Sequence, residues 1–435
     1  MPRPESPELL PGWFDGCEFD RPPIFYRMKY TLSLAFLFLT CPLLFAAEPA
    51  DTNYDESKTP AYALPDLNAN SREQWESTRR TEVVRLLEDH VYGRTPKDAV
   101  RIESTLLEGP TETLGNLAIR RQMRLTLSSK EHPDRKISFE VLVYAPKNLK
   151  GKSPAFIGLN FSGNQCVHSD PGIRRSPAGG KASGAYASRW QVPALLERGY
   201  GLVTAHRDDI DPDNYQHDFS DGPHPIFYAP GQTKPKEKDW GSIGAWAWAL
   251  SNIRQWLEGD DLIDANRLAV IGHSRLGKTA LWAGARDKKF KLVISNNSGC
   301  GGAALYRRCY GERIHHMLKP VGYWFCRNHA RYARRESELP VDQHMLLAAV
   351  APRALYVASA SEDRWADPKG EFLSLKHAEP IYALYGLDGL TANRWPSPNK
   401  PITGGRLGYH LRAGKHDVTA YDWARYLDFA DQHLK

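Results

Sequence analysis

Apolar and polar positions divide the chain into an irregular start and a long, rhythmic body. Between residues 71 and 91, Trp75, Val83, Leu86, Leu87 and Val91 recur at helical spacing and predict a helix. Two alternating runs follow at 118–127 and 137–144, the second stopped at Pro146, and predict an antiparallel hairpin at the edge of a sheet. Beyond them the pattern changes. Short apolar runs at 156–161, 201–205, 268–271, 292–295 and 355–358, and a strand-like 407–411, are interspersed with helical stretches at 243–257 and 275–285 and a final helix. Strands apolar on both faces belong to a parallel sheet covered on both sides, so the expected fold is α/β, a three-layer sandwich with a mostly parallel central sheet. Two stretches rich in Gly, Pro, Asp and His, 167–190 and 206–240, break the rhythm. Ligands of open parallel sheets bind beyond the carboxyl ends of the strands, where these loops would form the walls of a cleft.

Composition narrows the picture. The 435 residues fit one catalytic domain over 71–435, preceded by a linker at 48–70 rich in Pro, Asn, Asp and Ser. The formal charge is +6, and no basic run is interleaved with aromatics, so nucleic acid is not an expected partner; the mild excess suits an acidic polysaccharide. Twelve Trp and twenty Tyr suit either a sugar-facing cleft or a large aromatic core. Met28-Lys29-Tyr30, an apolar run to Phe45 and Ala46-Ala47-Glu48 read as a secretory signal over 28–47. Residues 1–27, acidic and proline-bearing, would precede its positive start and read as an upstream artefact. The apolar run is short for a bilayer span and interrupted by Pro42, so the mature protein is expected without a membrane span, secreted or periplasmic, and monomeric. Cleavage would remove Cys17 and Cys41 and leave Cys166, Cys300, Cys309 and Cys326. A Cys300–Cys326 bridge and free buried thiols both remain open, and without a C-x-x-C spacing a zinc ribbon is unsupported.

The chemistry concentrates in Val270-Ile271-Gly272-His273-Ser274-Arg275-Leu276-Gly277-Lys278-Thr279-Ala280. A strand delivers Ser274 to a sharp turn before a small-residue helix, exposing the hydroxyl and setting the next amide at a helix N-terminus, where an oxyanion is stabilised. The usual G-x-S-x-G elbow has glycine where Leu276 stands; here Gly277 comes one place later. Arg275 and Lys278, one turn apart, suit an anion or sugar hydroxyls rather than packing. A serine needs a base, and His416 follows the last predicted strand, as the order serine, acid, histidine requires. The chemistry needs no metal or organic cofactor. The adjacent His315 and His316 do not face one ion on a helix.

The string G-H-S-R-L-G-K-T-A resembles the glucuronoyl esterases, carbohydrate esterase family fifteen, whose motif reads G-C-S-R-x-G-K with the same displaced glycine; His273 replaces the cysteine. The stretches G-L-N-F-S-G-N at 158–164, S-N-N-S-G-C-G-G at 295–302, L-P-V-D-Q-H at 339–344 and E-D-R-W-A-D-P at 362–368 are similar to the bacterial branch, over roughly 60–435. The resemblance implies an α/β-hydrolase fold and a serine esterase that cleaves, through an acyl-enzyme, the ester between 4-O-methylglucuronic acid of glucuronoxylan and lignin alcohols. Fungal members carry a glutamate where Asn297 stands, whereas bacterial members place the acid after the next strand. That implies Asp363, with Glu362 as the alternative. Arg275 is implied at the oxyanion, through its amide and guanidinium, and Lys278, Glu312 and Trp365 as binders of substrate hydroxyls. Glu312 carries over by spacing alone, with an ion pair to Arg308 as its other reading. His273 reads as a packing residue behind the site. An acetyl xylan esterase or another carbohydrate carboxylesterase is the alternative function. A serine peptidase of the prolyl oligopeptidase type is disfavoured because no propeller repeat precedes the catalytic region of this chain, and a non-catalytic polysaccharide-binding protein would be expected to have lost the triad.

Overall fold

Both faces of the central strands are apolar, and two layers of helices cover them. In the computed structural model, which describes Pro49 and residues 51–435, the chain forms two units, one ending at Thr52 and the other running Asn53–Lys435. The expected signal at 28–47, residues 1–27 and both of their cysteines lie outside the described residues. The second unit carries a nine-stranded sheet: β1 (Val100–Thr113), β2 (Ala118–Ser129), β3 (Lys136–Pro146), β4 (Ser153–Asn160), β5 (Gly201–His206), β6 (Ile263–His273), β7 (Leu292–Asn296), β8 (Ala354–Ala360) and β9 (Leu407–Arg412), in the order β1-β2-β3-β5-β4-β6-β7-β8-β9. Pairing is antiparallel from β1 to β5 and parallel from β5 through β9.

Successive strand residues feed opposite layers. On β4 Ile157 joins the core beneath the helices Ser242–Trp256 and Arg275–Arg286, with Trp246 and Trp282. Its neighbour Phe156 joins the core beneath Ala420–Leu434, with Trp423 and Tyr426. Burying a large side chain in this way contributes about 1.5–3 kcal/mol relative to leaving it exposed.

The hairpin is formed by β2 and β3, with Leu125 opposite Phe139. It is not the sheet's edge, as expected, because β1 covers it. That strand is largely exposed, carries Pro110 and shifts register twice between Leu106 and Thr111, features an edge tolerates and that leave no clean alternation to read. The helix expected at 71–91 runs from Arg72 to Tyr92, capped by Ser71. Residues 53–70 are not a loose tether: Leu67 packs on the core and His344 bonds the Pro65 carbonyl, since a composition poor in regular structure does not prevent docking. Cys300 and Cys326 are free buried thiols, so the bridge is absent. No helix among the described residues is long and apolar enough to cross a membrane.

Candidate active site

The next-to-last residue of β6 is Gly272 for a steric reason: a Cβ there would lie 1.9 Å from the Leu276 carbonyl oxygen. The chain then turns through Ser274 at φ 56° and ψ −129°, a conformation costly for a side-chain-bearing residue, and enters the Arg275–Arg286 helix. The Ser274 amide donates to the Asn296 carbonyl at the end of β7, and its own carbonyl accepts from Gly277 N at 2.8 Å. The displaced glycine now has an explanation. Leu276 points into the core, whereas it is at Gly277 that a Cβ would crowd Ser298 at 3.0 Å and two carbonyl oxygens.

Asp363 follows β8 and His416 follows β9, so both lie at the carboxyl ends of parallel strands in the same half of the sheet as β6, which carries Ser274. His416 Nδ1 lies 2.6 Å from Asp363 Oδ2. An ionised carboxylate only accepts, so Nδ1 carries the proton and Nε2 keeps its lone pair. Glu362 is exposed, and its amide bonds the Gly414 carbonyl. Asn297 donates from Nδ2 to the same Asp363 oxygen at 2.8 Å. His273 packs its ring 4.5 Å from that of His416 and donates from Nδ1 to Asn296 Oδ1 at 2.6 Å. Burial, reinforced by the proximity of His416, holds His273 far below the usual imidazole range, so it is neutral.

Arg275 donates from Nη1 to Asp213 Oδ2 at 2.7 Å and lies over the Trp324 ring at 4.7 Å. Asp213 also meets Arg207, the Tyr323 hydroxyl at 2.5 Å and Trp324 Nε1 at 2.7 Å, which ties the 206–240 loop to the elbow. The 167–190 stretch reaches the other side, where Arg189 pairs with Asp417, next to His416.

Lys278 is buried; its Nζ donates to the Ser298 carbonyl at 2.8 Å and stands 3.6 Å from Glu312. The Glu312 amide donates to the Trp365 carbonyl at 2.8 Å, so the three residues expected to hold sugar hydroxyls converge. Arg308 is paired with Asp367 and Glu56 rather than with Glu312. Two supporting acids escaped the sequence reading. Asp213 sits in a loop with other aspartates and no spacing singles it out. Glu371, wholly buried, accepts from the Ser298 and Gly299 amides at 2.8 and 2.9 Å. The Asp367-Pro368 start of its helix was a legible cap signal, but its reach to Ser298 was not.

The arrangement can activate a serine against an ester, and the chain is similar to known esterases. Residues 192–386 match a family described as "Glucuronyl esterase, fungi". A protein named carbohydrate esterase MZ0003, from an unknown prokaryotic organism, is 42% identical over 411 residues, covering 89% of this chain and 93% of that relative. A 4-O-methyl-glucuronoyl methylesterase 1 of Phanerochaete chrysosporium is 34% identical over 155 residues, 34% of this chain and 33% of its own. Among solved structures, a glucuronoyl esterase from Solibacter usitatus superposes with a TM-score of 0.81 at 42% identity, covering 87% of this chain and 99% of that one.

Proposed function

Since this chain belongs to the glucuronoyl esterases, carbohydrate esterase family fifteen, we propose that it acts on the ester joining 4-O-methylglucuronic acid of glucuronoxylan to lignin alcohols, with Ser274, His416 and Asp363 as its triad. It is a carboxylic ester hydrolase of the α/β-hydrolase fold. His416 Nε2 takes the proton of Ser274 Oγ as the oxygen attacks the ester carbonyl carbon, and negative charge develops on the carbonyl oxygen. The Arg275 amide and guanidinium stabilise that oxyanion, an effect worth about 3 kcal/mol per donor in a dry site. The intermediate collapses, the alcohol leaves with the proton from His416, and an acyl-serine remains. Water, deprotonated by His416, attacks it, and Ser274 recovers its proton as the uronic acid departs. Asp363 keeps His416 in the useful tautomer and stabilises its cation. Lys278, Glu312 and Trp365 hold the sugar hydroxyls. No metal or organic cofactor enters these steps.

The observation that most supports this reading is the His416–Asp363 contact of 2.6 Å, with the His416 ring 4.5 Å from that of His273, the residue before the serine elbow at φ 56°. All of these groups come from one chain, which supports action as a monomer. A cell-wall substrate supports export through the 28–47 segment. Purified protein is assayed on benzyl glucuronate and on an acetyl ester, with Ser274→Ala as control. Serine-dependent cleavage of the glucuronate is the expected result; cleavage of acetate alone would transfer the triad to an acetyl xylan esterase, and no cleavage of either would mark a binding protein.

A further inference from the structure

The 206–240 loop buries a cluster that the ester chemistry does not use. The side chains of Asp211, His217 and His224 are all fully buried, and one ligand atom from each lies within 4.8 Å of the others. His217 Nε2 stands 3.3 Å from Asp211 Oδ2, and His224 Nδ1 stands 3.3 Å from Asp211 Oδ1. Neither approach is aligned as a hydrogen bond: both Asp211 oxygens, both His217 nitrogens and His224 Nδ1 are buried polar atoms without such a partner. Buried polar atoms in folded proteins are nearly always satisfied, so five of them in one place require an explanation.

The surroundings narrow the choice. His224 Nε2 lies 3.1 Å from the Trp240 carbonyl, which can only accept, so Nε2 donates there while Nδ1 faces the Asp211 carboxylate. A cation between Nδ1 and the carboxylate would satisfy both groups at once. A ligating histidine commonly donates its other N–H to a backbone carbonyl in this way, which fixes the tautomer. Phe219 packs edge-on against both imidazoles, with ring centroids 4.5 and 4.7 Å away, and excludes water. The Asp211 backbone is pinned as well, its carbonyl accepting from Trp246 Nε1 at 2.9 Å.

We propose that Asp211, His217 and His224 form a structural site for a divalent transition metal of the zinc class. Two imidazole nitrogens and a carboxylate exclude calcium and magnesium, which take oxygen ligands. Donors of one tetrahedral zinc, each about 2.0–2.2 Å from the ion, sit about 3.3–3.5 Å apart, the separation found on both sides of Asp211. Asp211, His217 and His224 thus supply three side-chain ligands, one carboxylate and two imidazoles. The ion clips the loop two residues before Asp213, the acceptor of Arg275, and so ties the loop's rigidity to the guanidinium beside Ser274.

The test uses the full chain, stripped with a strong chelator and titrated with Zn2+ alone and with Co2+ alone. The expected results are one tightly held equivalent, a rise of several degrees in Tm on adding Zn2+, and visible cobalt bands without thiolate charge transfer; His217→Ala and Asp211→Asn abolish all three. An unchanged Tm of the wild-type chain on adding Zn2+ overturns the proposal whether or not the variants fold, as does a cobalt spectrum that survives in His217→Ala. Either result would leave an Asp211 ion-paired to an imidazolium. Esterase activity is not the readout, so the outcome is independent of the substrate assignment.

Discussion

Asn297 and His416 share one oxygen of Asp363: the amide donates to Oδ2 at 2.8 Å and the imidazole meets the same atom at 2.6 Å. Asn297 is thus a neutral donor to the carboxylate that meets His416. Removing a hydrogen bond to a charged acceptor costs about 1.5 kcal/mol, so Asn297→Ala should lower kcat about tenfold and leave KM nearly unchanged. A kcat equal to wild type would mean that the Asn297 contact does not act through Asp363.

Asp363→Asn should be far more severe. An amide there can offer His416 Nδ1 the wrong partner and cannot stabilise the imidazolium, a change that costs about 10⁴-fold in kcat in serine triads. Glu362→Gln, exposed and away from the ring, should stay within about twofold, as exposed charges contribute little. Steady-state kinetics on a glucuronate ester checks both. A collapse in Glu362→Gln with an active Asp363→Asn would exchange their roles.

The boundary between what was legible in the sequence and what was not follows the range of each interaction. The elbow is local: the strand, Gly272, Ser274 and the helix follow one another directly in the chain, and the displaced Gly277 was visible before its contact with Ser298 gave the reason. His416 could be chosen from its place after the last strand. The acid could not be decided from the residues, since Glu362 and Asp363 are neighbours and only the approach of β8 to β9 directs one of them at His416. Asp213 and Glu371 act across long loops and a helix, where no periodicity records the partner. The edge strand β1 was missed because its register shifts and exposed charges erase the period of two.

His273 touches the His416 ring but carries no charge and makes no bond to it among the described contacts. His273→Ala should therefore keep activity within about tenfold, losing packing and the bond to Asn296, each worth about 1 kcal/mol. Circular dichroism must first establish folding. Near-total loss of kcat in a folded variant would make His273 a positioning residue for His416.

Glu371 gives the protein a pH-dependent stability. Burial, with the negative charge of Asp363 adding to it, pushes its carboxyl up to about 7 against the amide of Gly299 and the hydroxyls of Ser359 and Ser298, which favour the ionised form. The folded value lies above the ordinary 4.5. The folded state thus binds the proton more tightly than the unfolded state between these values, and stability is full below about 4.5 and lost as pH rises through about 7. The whole span corresponds to about 3 kcal/mol. Glu371→Gln keeps the acceptor for both amides without the titration, so the wild-type Tm should fall relative to this variant between pH 4.5 and pH 8. Parallel curves would show that Glu371 does not titrate in this range.

Lys278 distinguishes sugar recognition from ester chemistry. Its Nζ bonds the Ser298 carbonyl and faces Glu312 from a buried position, so it is held where a substrate hydroxyl could join the pair. Lys278→Met keeps the length and apolar stem but removes the donor, and strands Glu312 without its cation. The loss of one charge-assisted hydrogen bond, about 1.5–3 kcal/mol, should lower kcat/KM on a glucuronate ester by about 10–150-fold. On a small acetyl ester that makes no sugar contacts the same variant should differ little from wild type. An equal loss on both esters would move Lys278 from holding the sugar to maintaining the Ser298 turn behind Ser274.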